Sequence, residues 1–268
     1  MKIEVLEPHG FCAGVKAAIN LAERLAKDAK GKIYCYHEIV HNRQVVQDLE
    51  ARGFVFVNDI ASVPQGATLL FSAHGVSGKI RAQATAADLI VADATCPFVK
   101  SVHKQAHEYE AKGLPVVVLG NNGHDEVVGL LDSLNNGWLY PDLPENAKEI
   151  GFVSQTTLDS GYVNEVLSEL GKRYTVHSSA KVCMATRERQ DAVRKFTGDC
   201  LLVLGSGNSS NTNRLKEIAP CRSYIVQDLQ DLDSVDFSNT RHLGVTSGAS
   251  TPESFLNKVL DALALKFP

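Results

Sequence analysis

The sequence predicts an α/β protein made of three similar modules, each a parallel sheet flanked by helices. Three observations predict it. Short apolar runs alternate with helix-periodic stretches along the chain. Small polar residues follow those runs in a recurring order. Three cysteines, Cys12, Cys96 and Cys183, recur at steps of 84 and 87 residues (12 to 96, then 96 to 183).

Taken in chain order, the stretch 13–30 comes first. Val15, Ala18, Ile19, Ala22, Leu25 and Ala26 follow i, i+3, i+4, i+7 spacing there, which predicts an amphipathic helix. "IYCYHE", around Cys35, is strand-like. "ATLLFSA" (67–73) and "LIVADA" (89–94) read as buried parallel strands. In 98–112, Val99, Val102, Ala106 and Tyr109 return to helical spacing. "LPVVVLG" (114–120), "IGFVSQ" (150–155), "CLLVLGS" (200–206) and "HLGVTS" (242–247) are four more buried strands. Each of the three spaced cysteines stands just before a helical stretch. Gly14 follows Cys12, Pro97 suits a first helical turn after Cys96, and Thr186 is a candidate N-cap after Cys183.

Bulk composition excludes several classes. The 268 residues are 44% hydrophobic and 22% charged, which is ordinary globular composition with ample length for a core. No run of about 18 apolar residues offers a membrane span. The start, "MKIEVLEPHGFCAGV", lacks the apolar segment of a secretory signal, so a cytoplasmic location is expected. The net charge is −4 with no block of Lys or Arg, which argues against a nucleic-acid partner. Six cysteines are too sparse for a disulfide scaffold and fit reduced thiols or metal ligands.

The polar loops repeat as a set. The first third has Cys12, His41 and His74; the second has Cys96, His124 and Gln155; the last has Cys183, Ser209 and Ser247. Modules are therefore expected at 1–97, 98–182 and 183–268. Ligands bind outside the carboxyl ends of strands in open α/β sheets. A pseudo-threefold arrangement would aim all nine loops at one central cavity.

The loop chemistry points to a metal and an anion. Helix N-termini stabilise thiolates, the ligand form of cysteine. Three converging thiolates suit zinc with an open fourth position, or an iron–sulfur cluster with one iron lacking a protein ligand. Cys35, Cys200 and Cys221 read as ordinary thiols. "GNSSNTNRL" (207–215) places Ser209, Ser210 and Asn211 at a helix start, and "VTSGAST" (245–251) places Ser247, Ser250 and Thr251 similarly. Either loop alone reads as helix capping. Two of them, with His41 and His74, favour a phosphate or diphosphate. In "NGHDEVVG" (122–129), Glu126 beside His124 is placed to deliver a proton; the competing role is a solvated acid at a helix start. Gln155, Thr156 and Thr157 offer uncharged partners for a hydroxyl.

Together "FCAGV", "IVHN", "FSAHGVS", "DATCPFV", "GHDEV", "SQTT", "VCMATRERQ", "GNSSNTNRL" and "VTSGAS" resemble the 4-hydroxy-3-methylbut-2-enyl diphosphate reductase family, from Met1 to about Glu253. The resemblance implies three α/β modules around a central four-iron–four-sulfur cluster, one per chain. It places Cys12, Cys96 and Cys183 on the cluster ligands. It places His41, His74, Ser209, Ser210, Asn211 and Ser250 on the diphosphate pocket. Glu126 falls on the proton-delivering acid, with His124 beside it in the relay and pocket. Thr156 falls near the substrate hydroxyl, with Gln155 next to it. The implied reaction removes the allylic hydroxyl as water, with two electrons arriving singly from a donor such as a ferredoxin or flavodoxin. Protonation at either end gives isopentenyl and dimethylallyl diphosphates, the last step of the methylerythritol phosphate route. No G-x-G-x-x-G follows a strand, so no nicotinamide or flavin site is expected.

One departure stands out. After "GHDEV" the family continues with glycine, threonine and glycine; here Gly129 is followed by Leu130, Leu131 and Asp132. That questions the packing of the helix behind Glu126. The rival readings are a paralogue acting on another substrate, a dehydratase resembling quinolinate synthase, a non-catalytic iron–sulfur sensor and a zinc hydrolase. The dehydratase would want a pocket rich in Arg and Tyr. The sensor would want a basic output surface, and the hydrolase a His/Asp ligand set.

Overall fold

A computed structural model describes residues 1–29, 31–179 and 182–267. In chain order these form β1 (Lys2–Val5), α1 (Ala13–Asp28), β2 (Ile33–Tyr36), α2 (Arg43–Glu50), β3 (Phe54–Val57), β4 (Thr68–Phe71) and α3 (Gly78–Ala86). Then come β5 (Ile90–Asp93), α4 (Pro97–Ala111), β6 (Val116–Leu119), α5 (Asp125–Leu131), β7 (Gly137–Leu139), β8 (Glu149–Ser154) and α6 (Ser160–Leu170). β9 (Thr175–Ser178), α7 (Met184–Lys195), β10 (Cys200–Leu204), α8 (Ser210–Glu217), β11 (Arg222–Val226), β12 (His242–Ser247) and α9 (Glu253–Lys266) complete the chain. The six apolar runs and the two helix-periodic stretches all appear, with ends that differ by at most two residues.

The strands build three parallel four-stranded sheets, in the orders β3-β2-β4-β5, β7-β6-β8-β9 and β11-β10-β12-β1. Each has the same plan. Two central strands are flanked by an outer strand on one side and, on the other, by the strand that leads to a cysteine. Two sheets take this last strand from their own stretch of chain, β5 before Cys96 and β9 before Cys183. The third takes β1, which pairs with β12 from Lys2↔His242 to Val5↔Val245 and leads to Cys12.

The central strands are covered on both faces, which is why they read as continuous apolar runs; β5, expected from "LIVADA" to be buried, is instead an edge strand, with Ile90 63% and Val91 41% exposed. In β10, Cys200, Leu202 and Leu204 pack with Phe255, Leu256, Val259 and Leu263 of α9 on one face. Leu201 and Val203 pack with Val193, Phe196 and Leu215 on the other. In the sheet β7-β6-β8-β9, Val117, Leu119, Ile150 and Phe152 meet Val163 and Val166 of α6. Its opposite face, Val116, Val118 and Val153, meets Ala106 and Tyr109 of α4 and Val127 and Leu130 of α5. Leu130, part of the departure noted above, is thus a core residue, and the helix behind Glu126 is closed.

The chain packs as two compact units. One holds Met1–Val15, His41–Gln47 and Cys183–Pro268, and with them the sheet β11-β10-β12-β1. The other holds Lys16–Val40 and Asp48–Val182, and with them the other two sheets. No helix of the described residues is long and apolar enough to cross a membrane.

Candidate active site

Every residue singled out by type lies past the carboxyl end of a strand. Cys96 is the N-cap of α4, with Pro97 in its first turn, and Cys183 is the N-cap of α7. Their backbones match, with φ −54, ψ 134 and φ −55, ψ 133. Cys12 directly precedes α1, and its Sγ accepts the Val15 N–H at 3.5 Å. Thr186 is not the cap of α7. It sits buried inside the first turn and donates its N–H to Cys183 O at 2.9 Å, because the helix starts one residue after the cysteine, as the other two do. Two cysteine amides are held alike. Cys12 N donates to Ala249 O and Cys96 N to Ala73 O, both at 3.0 Å, and these acceptors immediately precede Ser250 and His74.

The remaining cysteines are set apart physically. Burial pushes the Cys35 thiol far up, raises Cys200 to about 11, and raises Cys221 as well. They stay protonated at neutral pH. Cys12, Cys96 and Cys183 form no disulfide and stand at the positive ends of helices of 12 to 16 residues. Cys12 and Cys183 lie in one unit and Cys96 in the other, and each has the chemistry of a thiolate metal ligand.

In the unit carrying Glu126, the loops after β6 and β8 are tied together. Glu126 is 4% exposed; its Oε1 accepts the Thr156 N–H at 2.8 Å and its Oε2 accepts the Thr156 hydroxyl at 3.0 Å. His124 is the N-cap of α5, and its Nδ1 accepts the Glu126 N–H at 3.2 Å. Gln155 accepts from Asn121 N through Oε1 at 2.9 Å and donates through Nε2 to Thr157 Oγ1 at 3.0 Å. Gly120 makes this approach possible: a Cβ there would lie 2.4 Å from Val127 Cγ2 and 3.2 Å from Gln155. The His74 and His124 rings meet edge to face at 5.7 Å.

The other unit carries the hydroxyl and amide loops. Ser209 is the N-cap of α8, its Oγ accepting Thr212 N at 3.4 Å, so the capping role is real. Asn211, in the first turn of the helix, is 4% exposed, and neither Oδ1 nor Nδ2 has a hydrogen-bond partner among the described residues. Ser250 donates its hydroxyl to His41 O at 3.1 Å, fixing the backbone at His41. Gly205, at φ +145, lets β10 end against α8, since a Cβ would stand 2.5 Å from Thr212 Oγ1. A buried amide lacking partners costs free energy unless a ligand supplies them. Backbone N–H groups at a helix start and uncharged donors around it are the chemistry of an anion site.

Sequence reasoning missed three residues. Asp125 accepts from or bonds to His37 Nδ1 at 2.8 Å and stands 3.8 Å from His74 Nδ1. It lies between two chosen residues in the first turn of α5, where an acid ordinarily only complements the helix dipole. His37, in the left-handed region at φ 59, carries no motif. The third, Arg189, is a buried cation in a helix whose other charges face solvent, and no spacing marks it out.

Fold and site together define an α/β enzyme with thiol, acid, hydroxyl and amide groups on the loops at the carboxyl ends of its parallel strands. Residues 3–264 match the family described as LytB protein, and the chain belongs to that family. Similar proteins named 4-hydroxy-3-methylbut-2-enyl diphosphate reductase include one from Shewanella oneidensis, 41% identical across 100% of this chain and 90% of that protein. Another, from Acidithiobacillus ferrooxidans, is 39% identical across 98% of this chain and 89% of that one. The solved E-1-hydroxy-2-methyl-but-2-enyl-4-diphosphate reductase of Plasmodium falciparum superposes with a TM-score of 0.91. It is 32% identical and covers 98% of this chain and 87% of its own. A second solved reductase, described as the terminal enzyme of the non-mevalonate pathway, gives a TM-score of 0.71 at 31% identity, covering 98% and 99%.

Proposed function

We infer that this chain reduces 4-hydroxy-3-methylbut-2-enyl diphosphate to isopentenyl and dimethylallyl diphosphates, the last step of the methylerythritol phosphate route. Substrate, two electrons and two protons give product and water. The observation that carries the reading is the Glu126–Thr156 pair at adjoining strand ends, in a chain that matches its family from residue 3 to 264.

Cys12, Cys96 and Cys183 hold a four-iron–four-sulfur cluster with three protein ligands. Their support is their shared place before a helix and their position after the edge strand of each sheet. The cluster supplies single electrons and a Lewis-acidic iron. The chain's own residues do the rest. Ser209, Ser210, Asn211 and Ser250, with His41 and His74, hold the diphosphate, and the unpartnered Asn211 amide gains bonds when it arrives. Thr156 and Gln155 orient the hydroxyl end. Glu126 holds the proton at its carboxyl group, next to Thr156 Oγ1, and His124 caps the helix that carries it. Burial of the pair keeps bulk water from competing for that proton. The three modules run 1–97, 98–182 and 183–268, with β1 lent to the sheet of the third. Electrons come from an external donor such as a ferredoxin or flavodoxin, and the enzyme works in the cytoplasm.

The test is anaerobic. Purified protein is expected to be brown, with about four irons per chain. It should oxidise reduced methyl viologen only when the hydroxymethylbutenyl diphosphate is added. Zinc in place of iron, or iron-loaded protein inert toward that substrate, overturns the reading.

A further inference from the structure

We propose that Arg189 is the internal counter-charge of the cysteine-held centre, a positioning residue that joins the Cys12 loop to the Cys183 helix and favours the centre's reduced state. This rests on the reading that Cys12 and Cys183 hold an iron–sulfur cluster.

Arg189 lies on α7, in the second turn after Cys183, and is 2% exposed. Its Nη1 donates to Ala185 O at 2.9 Å, within the helix. Its Nη2 donates to Gly10 O at 2.7 Å, two residues before Cys12. Gly10 in turn donates its N–H to Ser247 Oγ at 2.8 Å, at the end of β12. One guanidinium therefore spans two cysteine-bearing segments 179 residues apart in sequence. A neutral amide donor of suitable length would serve as such a clamp, so the clamp alone does not explain a buried charge.

The charge has no ordinary partner. Among the described residues no carboxylate lies within ion-pair distance of Arg189, and its buried Nε has no hydrogen-bond acceptor. Burying an unpaired cation is strongly unfavourable, because the charge loses its hydration and gains no opposite charge in return. Burial does push the Arg189 pKa down. Cys12 and Cys183 lead the groups that oppose it, ahead of the exposed Glu188 and Glu7. On the proposed reading, in which the centre holds both cysteines as thiolates, they are the missing counter-ions. A cluster held by thiolates is anionic and gains one further negative charge on reduction. A fixed cation beside it in a low-dielectric site stabilises the reduced form more than the oxidised one. The helix after Cys96 makes a useful contrast. Its buried basic residue, His103, is pushed down to about 4 by burial, so it is neutral at pH 7 and supplies no such charge.

The experiment compares midpoint potentials of cluster-loaded wild type, Arg189→Gln and Arg189→Lys, with iron content and circular dichroism on the same samples. Arg189→Gln is expected to cut the reduced fraction at a fixed poise at least tenfold, a fall of about 59 mV for a one-electron couple. Arg189→Lys, which keeps the charge and loses the fork, is expected to stay within threefold of wild type. A folded Gln variant that loses its iron while the Lys variant keeps it also supports the proposal. So does a Gln variant that fails to fold beside a Lys variant with the wild-type potential. A Gln variant with wild-type iron and potential overturns it. A Lys variant shifted as far as Gln overturns it too, and so does failure of both to fold, which makes Arg189 structural. Wild type without iron would instead overturn the functional reading, so the two failures are distinct.

Discussion

The sheet β7-β6-β8-β9 and the sheet β11-β10-β12-β1 share one strand plan and present their loops at the same strand ends, yet their side chains stand in opposite states. After β6 and β8, Glu126 has both carboxylate oxygens bonded to Thr156. After β10, Asn211 is as deeply buried and has neither amide atom bonded. The first set is complete within the protein, so its geometry is fixed before any ligand arrives. The second set leaves the Asn211 amide unsatisfied among the described residues, and in the proposed function an anion supplies its hydrogen bonds. Strand position decides where chemistry happens in this fold; residue type decides whether a loop is preorganised for proton transfer or left unsatisfied for binding. Substitutions in the two loops should therefore fail in different kinetic constants.

The largest effect is expected at Glu126. Glu126→Gln keeps the size of the side chain and an acceptor for Thr156, but carries no acidic proton. Loss of a positioned general acid costs about 10²–10⁴ in rate. Steady-state kinetics with reduced methyl viologen should show this in kcat, with KM within a few-fold and iron content unchanged. A variant as fast as wild type removes Glu126 from proton delivery and breaks the comparison on its catalytic side.

Asn211→Ala comes next. A hydrogen bond to a charged group contributes about 1.5–3 kcal/mol, so KM should rise about 10- to 100-fold while kcat changes little. Because the Asn211 amide bonds nothing among the described residues, the ligand-free thermal midpoint should not fall beyond the small loss from packing. The stabilisation that added substrate gives should shrink instead. A kcat defect with unchanged KM would mean that Asn211 is not a binding residue, and the contrast between the loops would disappear.

The two loops were not equally legible in the sequence. Ser209, Ser210 and Asn211 show in the sequence as small donors at a helix start, which alone read as capping and with a second such loop suggest an anion. The motif cannot separate the capping serine from the unpartnered amide, since that distinction depends on burial. Glu126 was visible as an acid beside a histidine; its tie to Thr156, 30 residues on, depends on β6 and β8 being neighbours. The central strands showed as apolar runs because both their faces are covered. β9, "TVHS", and β11, "RSYIV", lie at sheet edges, are partly exposed and escaped notice. The pairing of β1 with β12 joins the two ends of the chain, and local periodicity carries no signal of it. Arg189 was hidden for a related reason: its partner Gly10 O is 179 residues away, and an arginine in a charged helix reads as surface.

Thr156→Val should give the smallest effect and the finest test of the contrast. Valine has nearly the shape of threonine, so the packing is kept and only the hydroxyl is lost. The backbone N–H of residue 156 still holds Glu126 Oε1, while Oε2 loses its 3.0 Å partner. Leaving one partner of a buried hydrogen bond unsatisfied costs about 1–3 kcal/mol, because the remaining group stays desolvated. Here part of that cost is recovered, since the other oxygen remains bonded. Expected outcomes are a thermal midpoint lowered by a few degrees, about 2–4 °C per kcal/mol in a chain of this size, and a kcat lowered about 5- to 20-fold. The two readouts must move together, because one hydrogen bond both stabilises the fold and aims the acid. Asn211→Ala separates them in the opposite sense, altering binding with little change in ligand-free stability. If Thr156→Val left the midpoint untouched while KM rose, Thr156 would belong with the unsatisfied set, and the Glu126 loop would be assembled by its substrate rather than before it.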